Sequence, residues 1–230
     1  FPNTKFSIID MVVDLPNVQS IVFKEHEGSF LVGALAAMKS QTGKVGFVGG
    51  MDIPLIRRFA CGYVQGVKHI NASAKVFQKM TGTTPAAWND PTRGGELAKS
   101  MYDNGADIVY AAAGGTGLGV LQAAADNNKL SIGVDSNQNH IQPGYVLTSM
   151  LKRVDVASYE VFKTAHDGTW KPGFKVLGLK EDGVGWSLDE HNVNLVDKQM
   201  IMKVEMIRRD INTGLINVHD YMSDNSCPVQ

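Results

Sequence analysis

Short apolar runs alternate along the chain with longer stretches of helical composition, and glycine or proline stands at nearly every junction. Runs of about four to eight strand-forming residues bounded by turn residues read as strands, and longer stretches with apolar positions three or four apart read as helices. Strands are expected at residues 5–9, 19–23, 44–48, 74–80, 108–113, 130–134, 146–149, 174–179, 184–188 and 216–218. Helices are expected at 28–40, from about 54 to 70, 92–104, 120–125, from Lys152 to about 164, and 197–211. Pro54 suits a first helical turn, and Asp90 before Pro91 reads as an N-cap followed by proline at N1. Strands alternating with helices give an α/β class with parallel sheets.

The pattern is clearest from Asp107 to Asp135, where a buried strand, the turn Gly114-Gly-Thr-Gly-Leu-Gly119, a short helix and a second buried strand make one βαβ unit. Ligands of open parallel sheets sit outside the carboxyl ends of the strands, where glycine lets backbone approach closely. One such end here carries Gly114 and Gly115, the next carries Asp135, and the opening strand likewise runs into Asp10. Gly115 and Asp135 imitate a dinucleotide fingerprint, but Val120 stands where its third glycine is required. Asp135-Ser-Asn137-Gln-Asn139 copies the start of a calcium loop, yet His140 replaces the glycine and no glutamate closes it. A tight turn explains Gly117 and Gly119; a carboxylate at the mouth of the next strand points instead to ribose or sugar recognition.

Trp88 falls on a loop, 81–91, where an indole either lids a satellite core or offers a rigid stacking platform to a flat ligand. Lys152, just past a strand, is either a solvated charge or a donor to ligand oxygens. Net charge is -1 and pI about 6.6, with acids and bases interspersed, which argues against a nucleic-acid surface. No catalytic elbow, zinc-protease helix, phosphate loop or Cys-x-x-Cys occurs, and the histidines show no ligand-like spacing, so no enzyme, metal or cofactor is read. Cys61 and Cys227 are either unrelated thiols or a bridge tacking the tail onto a helix, which would require an oxidising compartment. The chain opens at Phe1 without methionine or signal peptide and so reads as processed or as a fragment.

Several phrases in order resemble the basic membrane protein family, the purine nucleoside receptor group of ABC-importer substrate-binding proteins: Phe6-Ser-Ile-Ile-Asp10, Glu25-His-Glu-Gly-Ser-Phe30, Val45-Gly-Phe-Val-Gly-Gly-Met51, Gly62-Tyr-x-x-Gly66, Ala112-Ala-Gly-Gly-Thr-Gly117, Gly133-Val-Asp135-Ser-Asn-Gln138 and Thr148-Ser-Met-Leu-Lys152. The resemblance implies a type I periplasmic-binding fold of two Rossmann-like lobes joined by three crossings. The amino-terminal lobe would take residues 1–42 and 146–172, and the carboxyl-terminal lobe 43–145 and 173–230. It also implies an upstream segment, absent here, whose loss would orphan the first strand. Family ligand contacts fall on Asp10, Trp88, Gly114, Asp135 and Lys152, with Gly115, Asn89 and Phe59 as further candidates. Asp135 would accept from both ribose hydroxyls, Gly114 would bring backbone against sugar or base, and Trp88, where the family usually has phenylalanine, would stack on the purine.

The implied partners are a nucleoside of the adenosine, guanosine or inosine class and an inner-membrane permease, and the implied location is periplasmic or lipid-anchored outside the cytoplasm. Alternatives are a free base, pentose or flavin in the same fold, or a nucleoside-processing or NAD-dependent enzyme.

Overall fold

A computed structural model describes residues 1–229. Its strands are β1 (Phe6–Ile9), β2 (Val18–Phe23), β3 (Lys44–Met51), β4 (Lys75–Gly82), β5 (Ile108–Ala112), β6 (Leu130–Asp135), β7 (Val146–Lys152), β8 (Gly173–Leu177) and β9 (Val184–Trp186). Its α-helices are α1 (Glu25–Lys39), α2 (Pro54–Ile70), α3 (Pro91–Asp103), α4 (Gly117–Asp126), α5 (Val154–His166) and α6 (Lys198–Asn212). The strands form a three-stranded parallel sheet, β1-β2-β8, and a six-stranded sheet, β4-β3-β5-β6-β7-β9, parallel except for β9. The chain passes between the sheets after β2, after β7 and after β8, the two-lobed α/β plan expected from the sequence.

The expected division of the chain needs correction. β7 lies inside the six-stranded sheet, pairing β6 and β9, rather than with residues 1–42, and β8 joins β2 rather than the later lobe. Helix α1 packs on α2, β7 and β9, so it too belongs with the larger sheet. The physical reason is the nearly continuous burial of β7: a strand buried on both faces belongs in the middle of a covered parallel sheet. Residues 216–218 are not a strand; Ile216 N donates to the Asp210 carbonyl at a helix end, outside any ladder.

Helices α1 and α2 touch backbone to backbone. A methyl on Gly33 would overlap the Tyr63 carbonyl, and methyls on Gly62 and Gly66 would overlap the carbonyls of His26 and Phe30. This close approach buries the whole first half of α1, including Glu25 and His26. Beneath it Phe47, Tyr63 and Tyr110 form a fully buried aromatic group, with Tyr63 and Tyr110 rings 5.2 Å apart. On the smaller sheet, register sets Phe6, Ile8, Phe174 and Val176 on one face, and Phe6, Phe174 and Val176 are exposed there.

Cys61 and Cys227 are bonded, closing a sequence separation of 166 residues and fixing the tail to α2. Gln65 reinforces the attachment: its side-chain oxygen accepts from His219 N at 2.8 Å and its amide donates to the His219 carbonyl at 3.0 Å. Among the described residues no helix is long and apolar enough to cross a membrane, and no group of acidic, cysteine and histidine side chains could hold a metal.

Candidate functional site

Parallel strands deliver their carboxyl ends to one edge, and the expected site residues lie there. β5 and β6 are hydrogen-bonded neighbours, with Tyr110 opposite Ile132. Extending that register brings the glycine turn after β5 beside Asp135 at the tip of β6, roughly one strand spacing of about 4.8 Å away. Lys152 ends the adjoining strand β7, within the strand rather than at a helix start as the sequence pattern indicated.

Asp10 and Asp135 both adopt the left-handed conformation, each with φ of 65°. An L-residue reaches that region at a steric penalty, least for aspartate and asparagine. Each therefore closes its strand with a sharp turn that aims a carboxylate off the sheet edge. Asp135 is held from behind. The side-chain oxygen of Gln138 accepts from Val134 N at 2.9 Å, and Gln138 N donates to Ser149 Oγ at 2.9 Å. Gly133 is required because a methyl there would run into the Gln138 and Ser149 side chains. Buried Asn139, Ser149 and Ser187 complete the brace, with Ser149 Oγ donating to Asn139 Oδ1 at 2.9 Å.

The carboxylate so positioned has no hydrogen-bond or ion-pair partner among the described residues. Its tip is open to solvent, yet the surrounding protein raises its pKa above the ordinary carboxylate value; Lys152 opposes this and Asp10 adds to it. Lys152 Nζ lies 2.6 Å from Asp10 Oδ2 and 3.1 Å from Glu25 Oε1, with the Phe23 ring centroid 5.1 Å away. Burial pulls the ammonium down, but Glu25, Asp10 and Asp135 outweigh it, so Lys152 stays charged beyond the ordinary lysine range. A concavity of about 480 Å³ opens here, lined among others by Asp135, Asn137, Lys152 and Arg153. Larger concavities lie beside the disulfide and between α3 and α4; among the described residues, an unpartnered carboxylate meets a buried ammonium only at Asp135 and Lys152.

Trp88 ends a 3-10 turn, Pro85–Trp88, rather than sitting on an irregular loop. Its half-buried ring packs on the backbone of Gly50 at the end of β3 and joins the edge of the main core, not a satellite core. Gly114, at φ of 57°, and Gly115 face the carbonyl of Trp88, and a methyl on Gly115 would come 3.2 Å from Asn89 Oδ1. Trp88, Asn89, Gly114 and Gly115 thus form one wall, and Asp10, Asp135 and Lys152 another. Phe59 is elsewhere, buried in the core on α2, and cannot contact a ligand.

Sequence reasoning missed Glu25 and Arg58. Glu25 is fully buried, and Arg58 Nη1 donates to its Oε2 at 3.0 Å and to the Phe23 carbonyl at 2.8 Å. Arg58 also makes a two-pronged pair with Asp220, at 2.8 and 2.7 Å. The usable signal was the charge of Glu25 itself, placed directly before a helix that is apolar on most faces.

Comparison with known proteins gives the family. Residues 1–220 match the Bmp family model, described as ABC transporter substrate-binding protein PnrA-like. The chain is 37% identical over 235 residues to a CD4+ T-cell-stimulating antigen of Listeria monocytogenes, covering 94% of this chain and 64% of that protein. It is 32% identical to the ABC transporter nucleoside-binding protein BmpA of Lactococcus lactis, covering 90% and 63%. An ABC transporter solute-binding protein of Aeropyrum pernix K1 superposes with a TM-score of 0.83 at 30% identity, over 94% of this chain and 70% of that one. The chain therefore spans somewhat under two thirds of the length of these two sequence relatives.

Proposed function

The chain belongs to the Bmp family of PnrA-like ABC transporter substrate-binding proteins, and from that premise we propose that it captures a purine nucleoside between its two lobes for delivery to a membrane permease. The observation that carries this reading is the unpartnered Asp135 carboxylate, turned off its strand tip by a left-handed backbone and set beside a buried ammonium. A single carboxylate accepts two hydroxyl donors in a charge-assisted pair of hydrogen bonds, the geometry a ribose diol offers. The neighbouring wall supplies what a purine needs: a rigid indole face at Trp88 and bare backbone at Gly114 and Gly115. Asn89, at the end of the Trp88 turn, lies within reach of a base edge.

In this reading Lys152 donates to ribose oxygens and steadies Asp135, while Asp10 brings the smaller sheet's tip to the ligand. Contacts begun by one lobe are completed by the other, so binding draws an open-closed equilibrium toward closure by hinge motion at the crossings. The family describes capture rather than catalysis, and no nucleophile or acid-base pair is needed. The Cys61–Cys227 disulfide and the importer role support a location outside the cytoplasm.

The test is titration calorimetry of the full chain with adenosine, guanosine, inosine, adenine and ribose. Tight binding of one or more nucleosides, and weak binding of free base and free ribose, is expected. Binding of ribose or adenine as tightly as any nucleoside would replace this ligand class with the pentose or base alternative.

A further inference from the structure

The site ammonium is not held by the cleft alone. Behind Lys152 runs a line of alternating charges: Asp10, Lys152, Glu25, Arg58 and Asp220, with consecutive contacts of 2.6, 3.1, 3.0 and 2.7 Å. It begins at the mouth of the smaller sheet, passes under the start of α1, crosses to α2 and ends in the tail that the disulfide fixes to α2. Glu25 is its centre and is fully excluded from water.

A buried carboxylate is a poor way to gain stability. Its desolvation commonly exceeds the attraction of its partners, and apolar replacements of buried ion pairs are often neutral or stabilising. Glu25 shows that penalty, since burial raises its carboxyl above the ordinary range against the pull of Lys152 and Arg58. Its Oε1 has no hydrogen bond of good geometry, although Lys152 Nζ is 3.1 Å away. The arrangement makes sense if the carboxylate serves the ammonium. An ammonium has three donors; Asp10 accepts one of them, Glu25 faces the ammonium as an ion-pair partner at 3.1 Å, and the negative charge of Asp135 acts on it from the neighbouring strand.

We propose that Glu25 is a positioning residue for Lys152, holding its ammonium at the mouth of the cleft, and that Arg58, gripped by Asp220 of the disulfide-bound tail, holds Glu25 in turn. This rests on the reading of Lys152 as a nucleoside-binding group and adds to it a residue that never touches the ligand. The charged groups facing Lys152 are Glu25 from α1, Asp10 beyond β1 and Asp135 ending β6, with Arg58 of α2 behind Glu25. Loss of Glu25 leaves burial, which favours the neutral amine, less opposed.

The experiment is adenosine affinity by calorimetry from pH 7 to 10 in the full chain, adenosine keeping one charge state over that range, alongside side-chain NMR titration of Lys152. The wild type is expected to hold its affinity across this range. In Glu25→Gln, affinity should fall about tenfold at pH 7.5 and fall further toward alkaline pH, as Lys152 titrates lower than in the wild type. Glu25→Asp, which keeps the charge with shorter reach, should recover most of the alkaline tolerance. A purely structural Glu25 would lower the melting temperature while leaving the pH profile and the Lys152 titration where they were, and that result overturns the proposal. Should Glu25→Gln fail to fold, Asp220→Asn tests the same line from its exposed end: a smaller shift in the same direction supports it, and an unmoved Lys152 titration overturns it. Should the wild type bind none of adenosine, guanosine and inosine, the nucleoside reading fails, and the NMR titration still decides whether Glu25 governs Lys152.

Discussion

Lys152 Nζ stands 2.6 Å from Asp10 Oδ2, so the last residue of a strand in the larger sheet grips the residue just past a strand of the smaller one. This is a direct ionic tie between the two sheets. Lys152 is buried whereas Asp10 is about one third exposed at its side chain. Solvent screening therefore reduces the pair to about 1 kcal/mol, well below a fully buried one. Asp10→Asn is expected to weaken inosine binding roughly five- to tenfold by calorimetry, and an unchanged affinity would remove Asp10 from the site.

His26 gives a stability prediction independent of any ligand. Burial holds its imidazole at about 4, against an ordinary 6.5, and the attraction of Asp220 only partly opposes this; at 3.9 Å the two are neighbours rather than an ion pair near neutral pH. The folded state thus binds fewer protons than the unfolded state between these values. The contribution is fully present above pH 6.5 and is lost as pH falls toward 4, amounting to about 3 kcal/mol. Urea unfolding from pH 7.5 to 4 should show His26→Gln losing less stability than the wild type over that window; parallel curves would contradict the neutral buried histidine.

The disulfide closes a long loop. By the entropy removed from the unfolded chain, and because it secures the segment carrying Asp220, its loss is expected to cost about 2 to 5 kcal/mol. Cys227→Ser should unfold at correspondingly lower urea than the oxidised wild type, and coinciding midpoints would show that Gln65 and Arg58 anchor the tail unaided.

The sequence carried the architecture best where apolar runs were long and punctuated. The two strands of the unit from Ile108 to Asp135 lie within a residue of expectation, because fully buried strands leave little competing interpretation, whereas its helix starts at Gly117, three residues inside the expected glycine turn. Ile216, Asn217 and Val218 carried no comparable signal, and the chain there caps a helix. The lobe assignment of β7 and α1 failed because strand order is set by packing across the sheet, which no local pattern encodes. Asp135 stood out as a carboxylate directly after an apolar run. Glu25 and Arg58 did not, because charged residues near helix starts are usually solvated, and it is the glycine-mediated contact of α1 and α2 that buries Glu25 and brings Arg58 against it.

The most direct measurement of the central claim is calorimetry of inosine and 2'-deoxyinosine against the wild type and Asp135→Ala. Asp135→Ala should lose on the order of 2 to 4 kcal/mol for inosine. The wild type should likewise prefer inosine to 2'-deoxyinosine, because half of the carboxylate's pairing is left empty, and this preference should vanish in Asp135→Ala. Equal binding of the two nucleosides by the wild type, or undiminished inosine affinity in Asp135→Ala, would contradict ribose recognition by this carboxylate.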